Sequence, residues 1–269
     1  MGKKEEASVI KALAAVEVDL ASSRAMRFAC QLGNFMEMEI HPVYVKESPS
    51  WGLTIGTGWA RHHFEDELVQ QGKKEIAEML ESEIDFCPVL TEPRVIYGNR
   101  ETELLKIMES QAFDLYIEGA YFPWTAGDLY QKIQSRIFQR AGSPLALARV
   151  LRKLFGLLII CLEPEGTRAM ARAFAKLWAG CTLTISLAQP GAVNEKFRSE
   201  LASARQTLEG AGCKVSPDEE AAFYPEPPAD EFLRRFGLVG LALPKSIKKD
   251  SPLLTWVAQI KAPMLLVLY

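Results

Sequence analysis

The chain has 269 residues, of which 48% are hydrophobic and 24% charged, a composition typical of a globular protein with one large domain or two smaller ones. Its 31 basic and 34 acidic residues give a formal net charge of −3, so charge gives no reason to expect binding to nucleic acid or to an anionic membrane. The apolar runs 9–16 and 154–162 are too short to span a membrane, and we expect a cytoplasmic protein.

Strand-like and helix-like segments alternate through the first half of the chain. Strands are predicted where apolar residues run continuously, and helices where apolar residues recur every three or four positions. The predicted strands are 9–16, 39–45, 93–98, 113–119 and 144–150, and the predicted helices are 21–32, 64–83, 101–110 and 129–141.

The second half repeats this order of elements with shorter connections. The predicted strands are 154–162, 182–189, 214–224, 238–244 and 263–269, and the predicted helices are 167–179, 194–212, 229–237 and 251–261. Arg-Ala-Met occurs in the first helix of each half, at 24–26 and 168–170. We therefore predict a duplication, with domains at residues 1–150 and 151–269.

The alternation of apolar strands with helices predicts an α/β fold with parallel sheets covered on both faces. We expect each half to be a doubly wound, flavodoxin-like domain with a five-stranded parallel sheet, in which the winding reverses beside the first strand. Ligands of such sheets bind at the carboxyl ends of the strands near the reversal. Any site in the first half should therefore lie at residues 16–21 and 119–128.

The cysteines are odd in number, widely spaced and without a Cys-x-x-Cys pair. This pattern favours neither a disulfide framework nor a zinc site. We expect all of them to be small core residues in a reducing compartment. They are Cys30, Cys87, Cys161, Cys181 and Cys213.

One pair of possible metal ligands stands out by its spacing. His63 and Glu67 lie four residues apart on a predicted helix, which would bring both side chains to one face. Because no further His or Cys follows nearby, the pair favours a solvated helix start, and we expect no metal.

Three segments resemble the universal stress proteins in their tandem form. The segment AAVEVDLASSRAM (14–26) is similar to the family's first strand with its acidic end and Ala-rich helix, and QAFDLYIEGA (111–120) is similar to its fourth strand. The segment SRIFQRAGSPLALAR (135–149) is similar to the helix and Pro-led strand that end each domain. The resemblance implies two tandem domains of the adenine nucleotide alpha hydrolase-like fold and a role in stress response.

The same resemblance implies how the two halves associate. Members of the family commonly dimerise through the fifth strand, and an apolar edge strand favours such pairing. We therefore expect 144–150 and 263–269 to pair antiparallel, giving a pseudo-dimer within one chain. A homo-oligomer is compatible with this arrangement, and the sequence identifies no protein partner.

Family members that bind ATP carry Gly-x-x-Gly, about nine residues, and then Gly-Ser or Gly-Thr, because glycines admit phosphates close to the backbone and the last pair opens a helix. These positions in the first half are Gly119, Phe122, Gln131 and Lys132, of which only the first keeps the pattern. Their equivalents in the second half are Ala242, Lys245, Asp250 and Ser251, of which only the last keeps it. The resemblance thus implies that neither half retains the phosphate cradle.

An acidic residue at the end of the family's first strand is expected near the base or ribose of the nucleotide. It aligns with Glu17, or with Asp19 if the loop is shortened. Cys161 or Glu163 takes this place in the second half.

Aromatic residues replace the phosphate loop of the first half. Tyr121, Phe122 and Trp124 surround Pro123, and their rings could either form a wall for a flat ligand or close the vacated crevice. Lys132 could meet an anion at a helix start or remain solvated. Both alternatives stay open at the level of sequence.

Two functions from different classes fit these observations. The first is a non-enzymatic stress-response or regulatory protein that holds no cofactor and does not bind ATP in the family's usual way. The second is an ATP-binding or AMP-binding switch, with at most weak hydrolysis, that uses one altered site in the first half.

Overall fold

The structure is a computed structural model, and it describes residues 9–47, 58–84, 87, 89–121, 124–190, 195–216, 219–221 and 229–269. Across these ranges, no helix has the length and apolar character needed to cross a membrane.

The described chain alternates strands with helices from end to end. The first half contains β1 (Ile10–Val16), α1 (Leu20–Gly33), β2 (Met38–Lys46), α2 (Trp59–Ile84), β3 (Arg94–Tyr97), α3 (Arg100–Ser110), β4 (Leu115–Gly119), α4 (Ala126–Gln134), α5 (Arg136–Arg140) and β5 (Leu145–Ala148). The second half contains β6 (Gly156–Ile160), α6 (Pro164–Leu177), β7 (Thr184–Pro190), α7 (Glu195–Gly210), β8 (Lys214–Val215), β9 (Glu219–Ala221), α8 (Asp230–Leu233), β10 (Leu238–Leu243), α9 (Pro252–Ala258) and β11 (Met264–Leu268).

All the strands belong to one sheet with the order β3-β2-β1-β4-β5-β11-β10-β6-β7-β8, and β9 also pairs with β7. Every pairing within a half is parallel. The winding reverses beside the first strand of each half, because β1 lies between β2 and β4 and β6 lies between β7 and β10. The predicted doubly wound α/β fold is confirmed.

The two halves meet at their last strands. β5 pairs antiparallel with β11, with Leu147 opposite Met264 and Leu145 opposite Leu266. All four of these side chains are buried, and the pairing makes the two parallel sheets continuous.

Helices cover both faces of the sheet, which explains the continuous apolar strands. In β1, Ala12 and Ala14 belong to the core on one face, while Leu13 and Ala15 belong to the core on the other. Each of these side chains is at most 2% exposed. A strand buried on both sides needs apolar residues at every position rather than at alternate ones.

Two predicted elements are each divided in the structure. The predicted helix 129–141 is two helices, because Ser135 ends α4 and its hydroxyl accepts a hydrogen bond from Phe138 N at the start of α5. The predicted strand 214–224 is represented by two short strands, β8 and β9, which pair with successive parts of β7.

The prediction that no cysteine forms a disulfide is wrong. Cys30 of α1 and Cys87 form a disulfide, with their Cα atoms 5.2 Å apart. No local pattern indicates this bond, because the partners are 57 residues apart and meet only when α1 packs beside the end of α2. Cys161, Cys181 and Cys213 are buried thiols outside this disulfide.

Candidate functional site

A cleft of about 450 Å³ lies at the carboxyl ends of β1 and β4, where the winding of the first half reverses. Its lining combines charged, aromatic and small residues. These are Ala15, Glu17, Asp19, Ala21, Ser22, Arg100, Glu118, Gly119, Ala120, Tyr121, Trp124, Asp128 and Lys132.

Asp19 occupies the amino end of α1. Its Oδ1 accepts a hydrogen bond from Ser22 N at 2.7 Å, and its Oδ2 accepts one from the Tyr121 hydroxyl at 2.6 Å. Burial would raise the pKa of Asp19, but the hydrogen bonds from Tyr121 and Ser22 outweigh it and lower the pKa. The carboxylate therefore remains charged and caps the helix dipole at the point where an anion would otherwise bind.

Glu118 brings a buried carboxylate to the floor of the cleft. Its side chain is 2% exposed, and Lys132 Nζ lies 2.5 Å from its Oε1. The Tyr116 hydroxyl donates to its Oε2 at 2.9 Å. Burial, and then the charge of Glu118, raise the pKa of Tyr116 well above its usual value, so this hydroxyl stays protonated. A buried charge requires partners of this kind.

Arg100 pairs with two carboxylates, the buried one of Glu118 and the exposed one of Glu17. Its Nη2 lies 3.6 Å from Glu118 Oε2, and its Nε lies 2.9 Å from Glu17 Oε1. The lining thus contains four carboxylates and two cations, and each cation is paired with at least one carboxylate. The formal charges of these six lining groups sum to −2.

The amino end of α4 is capped by side chains of its own segment. Thr125 Oγ1 accepts a hydrogen bond from Asp128 N at 3.1 Å, and Asp128 Oδ2 accepts from Thr125 N at 2.8 Å. This reciprocal capping box uses backbone donors that a helix can otherwise offer to an anion. The Asp128 carboxylate also places a negative charge in the first turn.

Gly119 has a packing role at this edge of the sheet. A Cβ atom on Gly119 would lie 2.8 Å from Ser22 N and closer still to the carbonyl of Ala21. β4 therefore approaches the first turn of α1 too closely for any side chain at this position. This contact explains the glycine without a ligand.

No protein-family model matches the sequence, and a search of the curated proteins finds no match. Solved structures do match over almost the whole chain. A universal stress protein from Archaeoglobus fulgidus is 12% identical, with a TM-score of 0.62 and coverage of 95% of both chains. The chain has the fold of a universal stress protein. The family resemblance of the sequence is confirmed at the level of the fold.

Two further structures agree with this result. A putative universal stress protein from Pseudomonas aeruginosa UCBPP-PA14 is 10% identical, with a TM-score of 0.55 and coverage of 97% of this chain and 94% of its own. A functionally unknown protein from Pseudomonas aeruginosa PAO1 is 9% identical, with a TM-score of 0.56 and coverage of 97% and 93%.

Within the universal stress protein fold, most of the predicted site residues of the first half meet in the cleft. Glu17, Asp19, Gly119 and Lys132 all line it. Gln131 is exposed on α4 and is not among the lining residues. Phe122 lies outside the described residues.

Lys132 occupies the last turn of α4 rather than the start of a helix. The sequence prediction placed the helix start too late because it missed the capping box at Thr125 and Asp128. Lys132 is half-buried, and its ammonium group pairs with Glu118.

The aromatic residues of the loop that are described have different environments. Tyr121 is 59% exposed, whereas Trp124 is half-buried and its ring lies 4.9 Å from the Arg149 guanidinium. Both residues line the cleft.

Sequence reasoning missed Arg100, Tyr116 and Glu118. The available signal was the acidic residue in the strand DLYIEG, because a carboxylate inside an apolar strand needs a buried partner.

In the second half, an aromatic ring fills the place that corresponds to the first-half cleft. Glu163 precedes α6, and its carboxylate accepts a short hydrogen bond from the Tyr269 hydroxyl. A Cβ atom on Gly166 would lie 3.1 Å from both Tyr269 and Ala242. Lys245, which the sequence comparison placed on the phosphate motif, instead donates from Nζ to the Gln139 carbonyl at 2.8 Å.

The remaining second-half positions give no polar cluster. Cys161 is fully buried, Asp250 is exposed, and Ser251 precedes α9 without a capping hydrogen bond from its side chain. In the part of the chain that the structure describes, no group of three or more His, Cys, Asp or Glu side chains could hold a metal ion. His63 Nε2 lies 3.3 Å from Glu67 Oε1, and both side chains are exposed.

Proposed function

We propose that this chain is a non-enzymatic regulatory protein of the stress-response class, whose crevices do not hold ATP in the way of nucleotide-binding universal stress proteins. It would act through its surface on a protein partner, with the two halves as one pseudo-dimeric unit. The fold of its structural neighbours supports the class, and the charges of the first-half cleft support the absence of a phosphate site.

The pairing of Lys132 and Arg100 with carboxylates is the observation that carries this proposal. A triphosphate is recognised by unpaired cations, backbone amides and often a metal ion. Here Glu118 and Glu17 neutralise the cations. A phosphate entering the cleft would have to break a buried ion pair, which costs about 3–5 kcal/mol.

The second candidate function is a switch that binds ATP or AMP in the first half. One observation favours it: the cleft offers a volume of about 450 Å³ at the edge of the sheet where doubly wound folds bind ligands. Exposed carboxylates such as Glu17 could accept hydrogen bonds from ribose hydroxyls.

Titration calorimetry with ATP, ADP and AMP, each with and without Mg²⁺, separates the two candidates. We expect no saturable binding at nucleotide concentrations up to about 1 mM, which corresponds to a binding free energy weaker than about −4 kcal/mol.

A micromolar Kd would contradict the proposal if Lys132→Met weakens it while Lys106→Met does not. Lys106 is a suitable control because it is an exposed lysine of α3 that pairs with Glu103 outside the cleft. That result would establish the nucleotide switch.

A further inference from the structure

Cys30 and Cys87 form a covalent link at the end of α1 that is remote from the cleft. α1 begins at Leu20, beside the cleft, and ends at Gly33, so Cys30 lies in its last turn. Cys87 is 3% exposed and Cys30 is half-buried. Their Cα separation of 5.2 Å lies within the range that a disulfide requires.

Residues 89–91, close to Cys87 in the chain, lie against β2 and α1. Ile40 N donates to the Val89 carbonyl at 2.8 Å, and Thr91 N donates to the Ile40 carbonyl at 2.9 Å. Val89 also packs against α1, where a Cβ atom on Gly33 would lie 2.6 Å from Val89 Cγ2. The Thr91 hydroxyl also donates to the Ile40 carbonyl at 3.0 Å, and Val89 and Leu90 pack against the core. The disulfide adds a covalent attachment at Cys87.

The second half also contains two cysteines near the ends of helices. Cys181 follows α6 and Cys213 follows α7, and both are free thiols. Burial, and then the neighbouring Cys181, raise the pKa of Cys213 to about 11. At neutral pH this thiol is protonated and therefore a poor nucleophile. Cys181 and Cys213 thus remain thiols, whereas Cys30 and Cys87 form a disulfide.

We propose that Cys30 and Cys87 are a thiol–disulfide exchange site, a redox-responsive cross-link that holds residues 89–91 more tightly against β2 when oxidised and loosens them when reduced. The co-reactant is a low-molecular-weight disulfide in the oxidising direction and a dithiol in the reducing direction. This inference is independent of whether the cleft binds a nucleotide.

The oxidation proceeds in two exchange steps. The more accessible Cys30 thiolate attacks one sulfur of the small disulfide and releases one small thiol. The Cys87 thiolate then attacks the Cys30 sulfur of the mixed disulfide and releases the second small thiol. The two cysteine sulfurs lose two electrons, the small disulfide gains them, and the two cysteine protons pass to the released thiols.

The experiment uses the full chain after treatment with oxidised glutathione or with dithiothreitol. Alkylation and peptide mass spectrometry identify the free thiols. Hydrogen exchange then measures the amides of Ile40 and Thr91, which make the two backbone hydrogen bonds between β2 and residues 89–91. The amide of Ser216 is the internal control, because it donates to the Ile185 carbonyl at 2.9 Å in the corresponding turn of the second half.

We expect oxidation to protect Cys30 and Cys87 from alkylation and to leave the other cysteines modifiable after denaturation. On reduction, the Ile40 and Thr91 amides should exchange about tenfold faster or more, while Ser216 exchanges unchanged. Cys30→Ser and Cys87→Ser should give the fast exchange in both buffers. Cys181→Ser should respond to redox treatment as the unaltered chain does.

Two results would overturn the inference. One is that oxidised glutathione leaves Cys30 and Cys87 fully alkylatable. The other is that the disulfide forms but the Ile40 and Thr91 amides exchange at the same rate in both redox states.

Discussion

Replacing Glu118 by glutamine keeps the size of the side chain and removes the buried negative charge. Lys132 and Arg100 would then face each other across the floor of the cleft without the carboxylate that lies 2.5 Å and 3.6 Å from them. Breaking a buried ion pair costs about 3–5 kcal/mol. Because these two cations keep side-chain exposures of 29% and 25%, we expect the lower end of that range, about 3 kcal/mol.

Urea unfolding followed by circular dichroism measures this loss. Glu109→Gln is the matched control, because Glu109 pairs with Arg140 at 3.4 Å with both side chains more than half exposed, and such a pair contributes below about 1 kcal/mol. Adding Lys132→Met to the Glu118→Gln variant removes the uncompensated cation and should restore part of the stability. Equal losses for Glu118→Gln and Glu109→Gln would refute the reasoning.

Further predictions concern the packing and the titration of the same cleft. Gly119→Ala should destabilise the fold by about 1–3 kcal/mol in urea unfolding, because the added Cβ would press on the backbone of α1. Gly142 has open space around it, so Gly142→Ala should leave the free energy of unfolding unchanged. Equal effects of the two substitutions would refute the packing role of Gly119. Because the pKa of Asp19 is lowered in the folded chain, its ionised carboxylate stabilises the fold above its unfolded pKa of about 3.9. This contribution to stability is lost as the pH falls through the lower folded pKa. Tyr121→Phe should therefore reduce stability at neutral pH and lose this effect in strong acid, and a deficit independent of pH would count against the Asp19 hydrogen bond.

The hydrophobic pattern was sufficient to predict the fold. Apolar runs such as Leu157–Ile160 and Leu238–Leu243 could only be strands buried on both faces, and the helices between them required parallel connections. The position of the cleft followed from the same topology, since Glu17 directly follows β1 and Gly119 ends the adjacent β4.

The contents of the cleft could not be predicted in the same way. Arg100 reaches Glu118 from the start of α3, a contact set by tertiary packing that leaves no local pattern in the sequence. The start of α4 is likewise set by the capping box at Thr125 and Asp128. Aligning the family's phosphate motif by residue count passed over that cap and assigned Gln131 and Lys132 to the wrong end of a helix.

Site-resolved nucleotide binding tests the central claim most directly. Amide NMR spectra of the isotope-labelled chain, recorded while ATP with Mg²⁺ is added, report separately on Glu17, Gly119 and Lys132 in the cleft. The account predicts no saturable chemical-shift change at these three amides. Saturable shifts at all three, at micromolar ATP, would contradict it and show that a phosphate chain can displace the Glu118 ion pairs.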